Sequence, residues 1–216
     1  LSVLFATIWL ITSLALATYF ALLWLKIKTI NPLDLAAYLA PAFVAFGSVW
    51  LVAANAEIEL LGFGETIVLL TAAHFHAAGG CLIALTALIG SKRSRTIDKI
   101  ASALAIISIP ITAIGIQIGG VTEGIGAACT VFAAMFFAIV QLTMLDALST
   151  FAKTLRITSS ISLIIAMGFA FAYSLQHYGL NINLTIDTMI LWHASLNVFG
   201  FIACGLGAFA LSKSAT

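Results

Sequence analysis

Apolar residues run along this chain in long unbroken blocks. They neither alternate nor return only at every third or fourth position. Seven blocks reach the roughly 20 residues that a helix needs to cross bilayer hydrocarbon: 2–25, 34–54, 65–89, 99–119, 124–146, 157–177 and 188–211. Strands of a membrane barrel would alternate over about ten residues. The first six connections are short, so helices adjacent in sequence pack antiparallel. The pattern predicts an all-α, polytopic bundle of seven transmembrane helices, forming a single domain over residues 1–216. Asn31-Pro32 precedes Asp34, which is placed to help cap the second helix. Pro41 should tilt or kink that helix, and Pro110 frees a carbonyl inside the fourth for neighbouring helices or water to satisfy.

Composition turns this pattern into a statement about solvent. Sixty-two per cent of residues are hydrophobic and 8% are charged, against about 25% charged in a soluble domain. A soluble fold of this length buries only about 70% of its surface, too little to hide so much apolar side chain. Lipid supplies the missing solvent. A net charge of +1 gives no footprint for nucleic acid. Cys81, Cys129 and Cys204 fall in separate apolar blocks with no CxxC, as buried structural thiols do. Residues 1–25 lack a basic leader and a cleavage site, and read as a first span. The initial residue is Leu1, which leaves room for helices upstream.

Charge sets an expected orientation. The nine basic residues occupy the first connection (Lys26, Lys28), the third (Lys92, Arg93, Arg95, Lys99), the fifth (Lys153, Arg156) and the C-terminal tail (Lys213). The second connection carries Glu57 and Glu59, with Glu123 at the fourth and Asp187 at the sixth. Lys and Arg collect on the cytoplasmic side. The expectation is a multi-pass protein of the cell membrane with its N-terminus outside and its C-terminus in the cytoplasm.

Candidate chemistry lies in polar residues at membrane depth, where each is costly. The third helix carries Glu65, His74 and His76, followed by Gly79-Gly80. His74 lies roughly 13 Å below Glu65 and His76 about 3 Å deeper. Residues i and i+2 sit on different helix faces, so His76 points elsewhere unless the glycines loosen the helix. Its expected partner is a polar group on the second or fourth helix. The seventh helix carries His193 and Asn197, four apart on one face. Gln176-His177 and Tyr178 are interfacial, and Glu123 opens the fifth helix. These groups favour the outer half, whereas the inner half shows little beyond Gln141 and Asp146. An outward-opening polar cavity between the third and seventh helices is the expectation, with His74 and His193 facing it within roughly 8 Å, the scale of helix packing.

Two motifs, TAAHFHAAGG at 71–80 and WHASLNVFGF at 192–201, resemble the paired motifs of the YndJ-like bacterial membrane proteins. The matching positions are His74, Phe75, His76, Gly79, His193, Asn197, Gly200 and Phe201; Ala194 stands where glycine is expected. The resemblance implies that both histidine motifs belong to one site and names no substrate. Some members of that family continue beyond the membrane domain.

Several functions fit these residues. An intramembrane enzyme on a lipid-like or isoprenoid-like substrate would use His74 or His193 as base, Glu65 or Glu123 as acid, and Asn197 to orient or to stabilise an oxyanion. With a divalent metal such as zinc as cofactor, His74, His76 and His193 would be the ligands and a carboxylate the base for bound water. A small-molecule or ion transporter or a sensor, a haem or quinone redox protein, and a non-catalytic structural protein are the alternatives. The partners implied are membrane lipid and a small apolar or amphipathic ligand, and not nucleic acid.

Overall fold

The computed structural model describes residues 1–146, 148–176, 178 and 182–213. Seven of its helices are long and apolar enough to cross a membrane: α1 (Ser2–Ile27), α2 (Pro32–Asn55), α3 (Glu65–Gly90), α4 (Thr96–Ile118), α5 (Val121–Leu142), α6 (Thr150–Gln176) and α7 (Ile186–Ser212). A short 3-10 turn, Leu60–Gly62, lies between α2 and α3. Six of the seven starts fall within three residues of the hydropathic blocks. The exception is α6, which begins at Thr150 rather than near residue 157. The expected start followed the last basic residue of a loop, yet Arg156 is buried inside the helix.

Helix ends follow local capping. Asn31 caps α2 by accepting from the Leu33 amide, with Pro32 at the first helical position. Asp34, the expected helper, instead accepts from the Thr29 hydroxyl and the Asn31 amide. Both α2 and α4 continue helical through Pro41 and Pro110.

Neighbours in sequence pack antiparallel, α2 also touches α4, and α3 reaches α7 through Phe75–Leu82 and Leu196–Ala203. Lipid tails are as apolar as leucine, so helices associate through close packing and hydrogen bonds rather than by escaping water. Buried positions accordingly include many small side chains, among them Ala36, Ala105, Ala134 and Ala166. Large apolar residues such as Phe5, Ile11, Phe132 and Phe199 face outward. α4 and α5 are pinned by the Thr112 hydroxyl, 2.7 Å from the Gly126 carbonyl and 2.6 Å from Thr130 Oγ1. The C-terminal half of α3 is well enclosed, with Leu82, Ile83 and Leu85 all buried. Phe137 of α5 meets Phe201 of α7 edge-on nearby.

Candidate functional site

The two histidine-bearing helices share a local irregularity. α3 widens into π-helical turns over Phe75–Leu82, directly after His74. α7 does the same over Ile190–Ala194 and Leu196–Ala203, the segments that hold His193 and Asn197. Such wide turns replace i→i+4 bonds with i→i+5 bonds and occur mostly as isolated bulges at functional sites. Gly79 and Gly80 fall within the α3 segment, buried against Phe43 and Val44 of α2.

His74 and His193 stack across the α3–α7 seam, ring centres 6.0 Å apart and planes inclined by 25°. This meets the expected separation. α7 starts at Ile186 rather than near 188, which carries His193 about 3 Å deeper at helical rise.

Hydrogen bonds fix the tautomers. A carbonyl oxygen only accepts, so the ring nitrogen facing it must carry hydrogen. His193 Nδ1 donates to the Ala166 carbonyl of α6 at 2.8 Å, and His74 Nδ1 donates to Leu70 at 2.7 Å within α3. His193 Nε2 is then a lone-pair acceptor, and Asn197 Nδ2 donates to it at 3.1 Å while also donating to the His193 carbonyl at 2.9 Å. Asn197 is buried. His74 is exposed at the flank of the bundle, and its Nε2 has no hydrogen-bond partner among the described residues. The pair thus presents one free imidazole lone pair at an open seam, backed by a second ring held rigidly through α6 and Asn197.

His76 belongs elsewhere. Its Nδ1 donates to the Ala72 carbonyl at 2.8 Å, and its Nε2 accepts from the indole of Trp9 on α1 at 2.8 Å. The Trp9 ring stacks on it at 6.1 Å. Ser48 of α2 lies 3.4 Å from the same nitrogen and accepts from Ser13 of α1 at 3.0 Å. The expected partner on the second helix is therefore Ser48, with Trp9 beside it. Gly47 permits the approach, since a Cβ there would lie 2.7 Å from Phe75 Cβ and 2.9 Å from His76 Nδ1. Sequence reading missed Trp9, Ser13 and Ser48, because hydropathy counts tryptophan as apolar and isolated serines as neutral. The usable signal was the Trp9 N–H, which needs an acceptor in lipid.

The set of His74, His76 and His193 expected for a metal is not brought together, because His76 turns toward α1 and α2. Among the described residues no three His, Cys, Asp or Glu side chains form a group suited to a metal ion. Glu65 and Glu123 are exposed in the first turns of α3 and α5. Glu65 lines a cleft of roughly 150 Å³ with Glu57 and Glu59. No contact joins either glutamate to the histidine pair. Gln176 grips the Leu184 backbone through both ends of its amide. Tyr178 donates to the Gly120 carbonyl. His177 lies outside the described residues.

Seven spanning helices with lipid-facing apolar surfaces and polar side chains tied between helices define a polytopic, all-α membrane protein. Residues 1–201 match the family model described as YndJ-like protein, and the chain belongs to that family. It is 27% identical over 162 residues to the "Uncharacterized membrane protein YndJ" of Bacillus subtilis (strain 168). That match covers 74% of this chain and 30% of the relative, so the chain spans well under half of that protein's length. No solved structure matches.

Proposed function

We propose that residues 1–216 act as one transmembrane domain of a bacterial cytoplasmic membrane, N-terminus outside and C-terminus inside, and that His74, His193 and Asn197 form an acid–base site for a lipid-like or isoprenoid-like molecule. The observation that carries this reading is the unpartnered Nε2 of His74 at an open seam, stacked on a His193 whose tautomer is fixed by Ala166 and Asn197. A neutral imidazole with a free lone pair can take a proton from a bound molecule. An opening on the bundle's flank admits a ligand sideways from the bilayer, which suits an apolar or amphipathic molecule. Asn197 holds His193, and His193 in turn supports the ring of His74. Glu65 and Glu123 would act only from the aqueous rim, so the acid of this chemistry is the imidazolium itself. A metal-assisted form would need donors beyond the two stacked histidines.

The test is lipid mass spectrometry on membranes of a bacterial host producing the protein, with an empty-vector control. Wild type should change the abundance of at least one lipid or isoprenoid species, and His74→Ala and His193→Ala should each abolish the change. An unaltered lipid profile would overturn the enzymatic reading. The second reading, a proton-coupled transporter or sensor, is favoured by the wide turns in both histidine-bearing helices. Proteoliposomes with an internal pH dye would then show proton movement that His74→Ala removes.

A further inference from the structure

The inner end of the bundle contains a cation with nothing opposite it. Arg156 of α6 is 2% exposed. Its Nη1 donates to the Met144 carbonyl, just beyond the end of α5, at 3.3 Å. Its Nε and Nη2 have no hydrogen-bond partner among the described residues. Those two atoms form a single edge of the guanidinium, the fork that grips two oxygens at once. Arg95 shows what such an edge does when occupied: its Nε and Nη2 donate to the two carboxylate oxygens of Asp98 at 3.0 and 2.8 Å. Arg156 has the same fork and no carboxylate in it. Arginine keeps its proton in proteins, and among the described residues no carboxylate forms an ion pair with it.

The neighbouring polar groups are also unpaired. Gln141, one turn back along α5 from Met144, is 0% exposed, and both its amide nitrogen and oxygen lack partners. Ser160, one turn along α6 from Arg156, is buried with a free hydroxyl. Ser102 of α4 is buried and unpaired in the same way. The register of α4 on α5, held by Arg95 on Thr143 and Thr112 on Gly126, puts Ser102 opposite Phe136, about 7.5 Å along α5 from Gln141. Buried polar atoms are nearly always paired with protein, water or an ion. Arg156, Gln141, Ser160 and Ser102 all break that rule among the described residues.

We propose that Arg156 and Gln141 form a binding site for a phosphate-class oxyanion, with the Nε–Nη2 edge of Arg156 as the bidentate grip and the Gln141 amide as a further donor. Depth selects phosphate. The 27 residues of α6 span about 40 Å at helical rise, roughly 10 Å more than the hydrocarbon, so each end overhangs by about 5 Å. Arg156 lies six residues from Thr150, about 9 Å in. Its long side chain reaches from just beneath the hydrocarbon edge toward the phosphate layer. Lys92 and Arg93 on the neighbouring connection add positive field at this end. The oxyanion is either the headgroup phosphate of an anionic lipid or a free phosphate from the aqueous phase. The site lies away from the histidine pair and does not depend on its function.

The experiment is thermal unfolding of the whole chain. One arm uses neutral detergent with inorganic phosphate, against chloride at equal ionic strength. The other uses phosphatidylcholine nanodiscs with and without phosphatidylglycerol. Wild type should gain about 5 °C in at least one arm at saturating ligand. Arg156→Met should lose that gain while being at least as stable as wild type without ligand, since it removes an unpaired buried charge. Gln141→Leu should weaken the gain and carries the test by itself if the arginine variant does not fold. A gain with inorganic phosphate identifies a free oxyanion, and one with phosphatidylglycerol alone identifies a lipid headgroup. No gain in either arm, an equal gain with chloride, or an undiminished gain in the variants would overturn the proposal.

Discussion

The two halves of the bundle, outer and inner in the orientation we propose, handle polarity in opposite ways. The outer half holds the residues that look functional, yet its carboxylates Glu65 and Glu123 stand exposed and His74 lies open at a seam. The inner half looks sparse in sequence, yet it encloses Arg156, Gln141, Asp98, Ser102 and Ser160. Polarity concentrated toward one face therefore says little about burial. A carboxylate at a helix start is already near water and needs no partner, whereas one arginine drawn a turn and a half into a helix must find one. The Arg95–Asp98 pair and the empty fork of Arg156 are two answers to the same demand, a few ångströms of depth apart in cost.

All-or-none outcomes come first, since the comparison assumes which end is which. Accessibility reporters inserted at 57–62 should read outside and those at 92–95 inside, because the basic residues segregate completely; an outside signal at 92–95 would reverse the two halves. Next is Asp98→Ala. It removes both oxygens from the Arg95 fork and the acceptor for the Arg95 amide. A loss of about 2–3 kcal/mol in reversible unfolding is expected for a charged, capping hydrogen-bond set, while Glu65→Ala and Glu123→Ala should stay within about 0.5 kcal/mol, as surface changes do. Equal effects at the three acids would erase the contrast between the halves.

Smaller effects should follow at the seam. His193→Ala breaks the tie to Ala166 and leaves Asn197 without its ring acceptor, for about 1 kcal/mol. Asn197→Ala removes only bonds within α7, to the His193 ring and carbonyl, and should cost about 1 kcal/mol or less, yet abolish any lipid-modifying activity along with His193→Ala. Normal activity in either variant would remove both from the site. Smallest of all, Trp9→Phe keeps the ring stacked on His76 and deletes only the indole hydrogen bond, so it should cost about 0.6 kcal/mol or less and leave activity intact. Loss of activity there would place His76 back in the functional site.

Helix number, helix placement and the pairing of His74 with His193 were all legible in the chain, because each follows from one-dimensional rules. Hydropathy over a fixed bilayer thickness defines a span, and an imidazole at membrane depth must find a partner on a neighbouring helix. Membership of the YndJ-like family was legible in the HFH and HxxxN motifs. The direction of His76 was not. Helical spacing says that it points away from His74, but only the packing of α1 and α2 supplies Trp9 and Ser48 on that side. The early start of α6 was equally hidden, since hydropathy assigns Arg156 to a loop. Tertiary structure decided otherwise because a helix end is set by where backbone and side-chain hydrogen bonds can be completed, and the carbonyl of Met144 completes one of them. Sequence determines which side chains must be satisfied within the membrane; only the three-dimensional packing determines which of them find protein partners and which, like Arg156, keep polar atoms without one among the described residues.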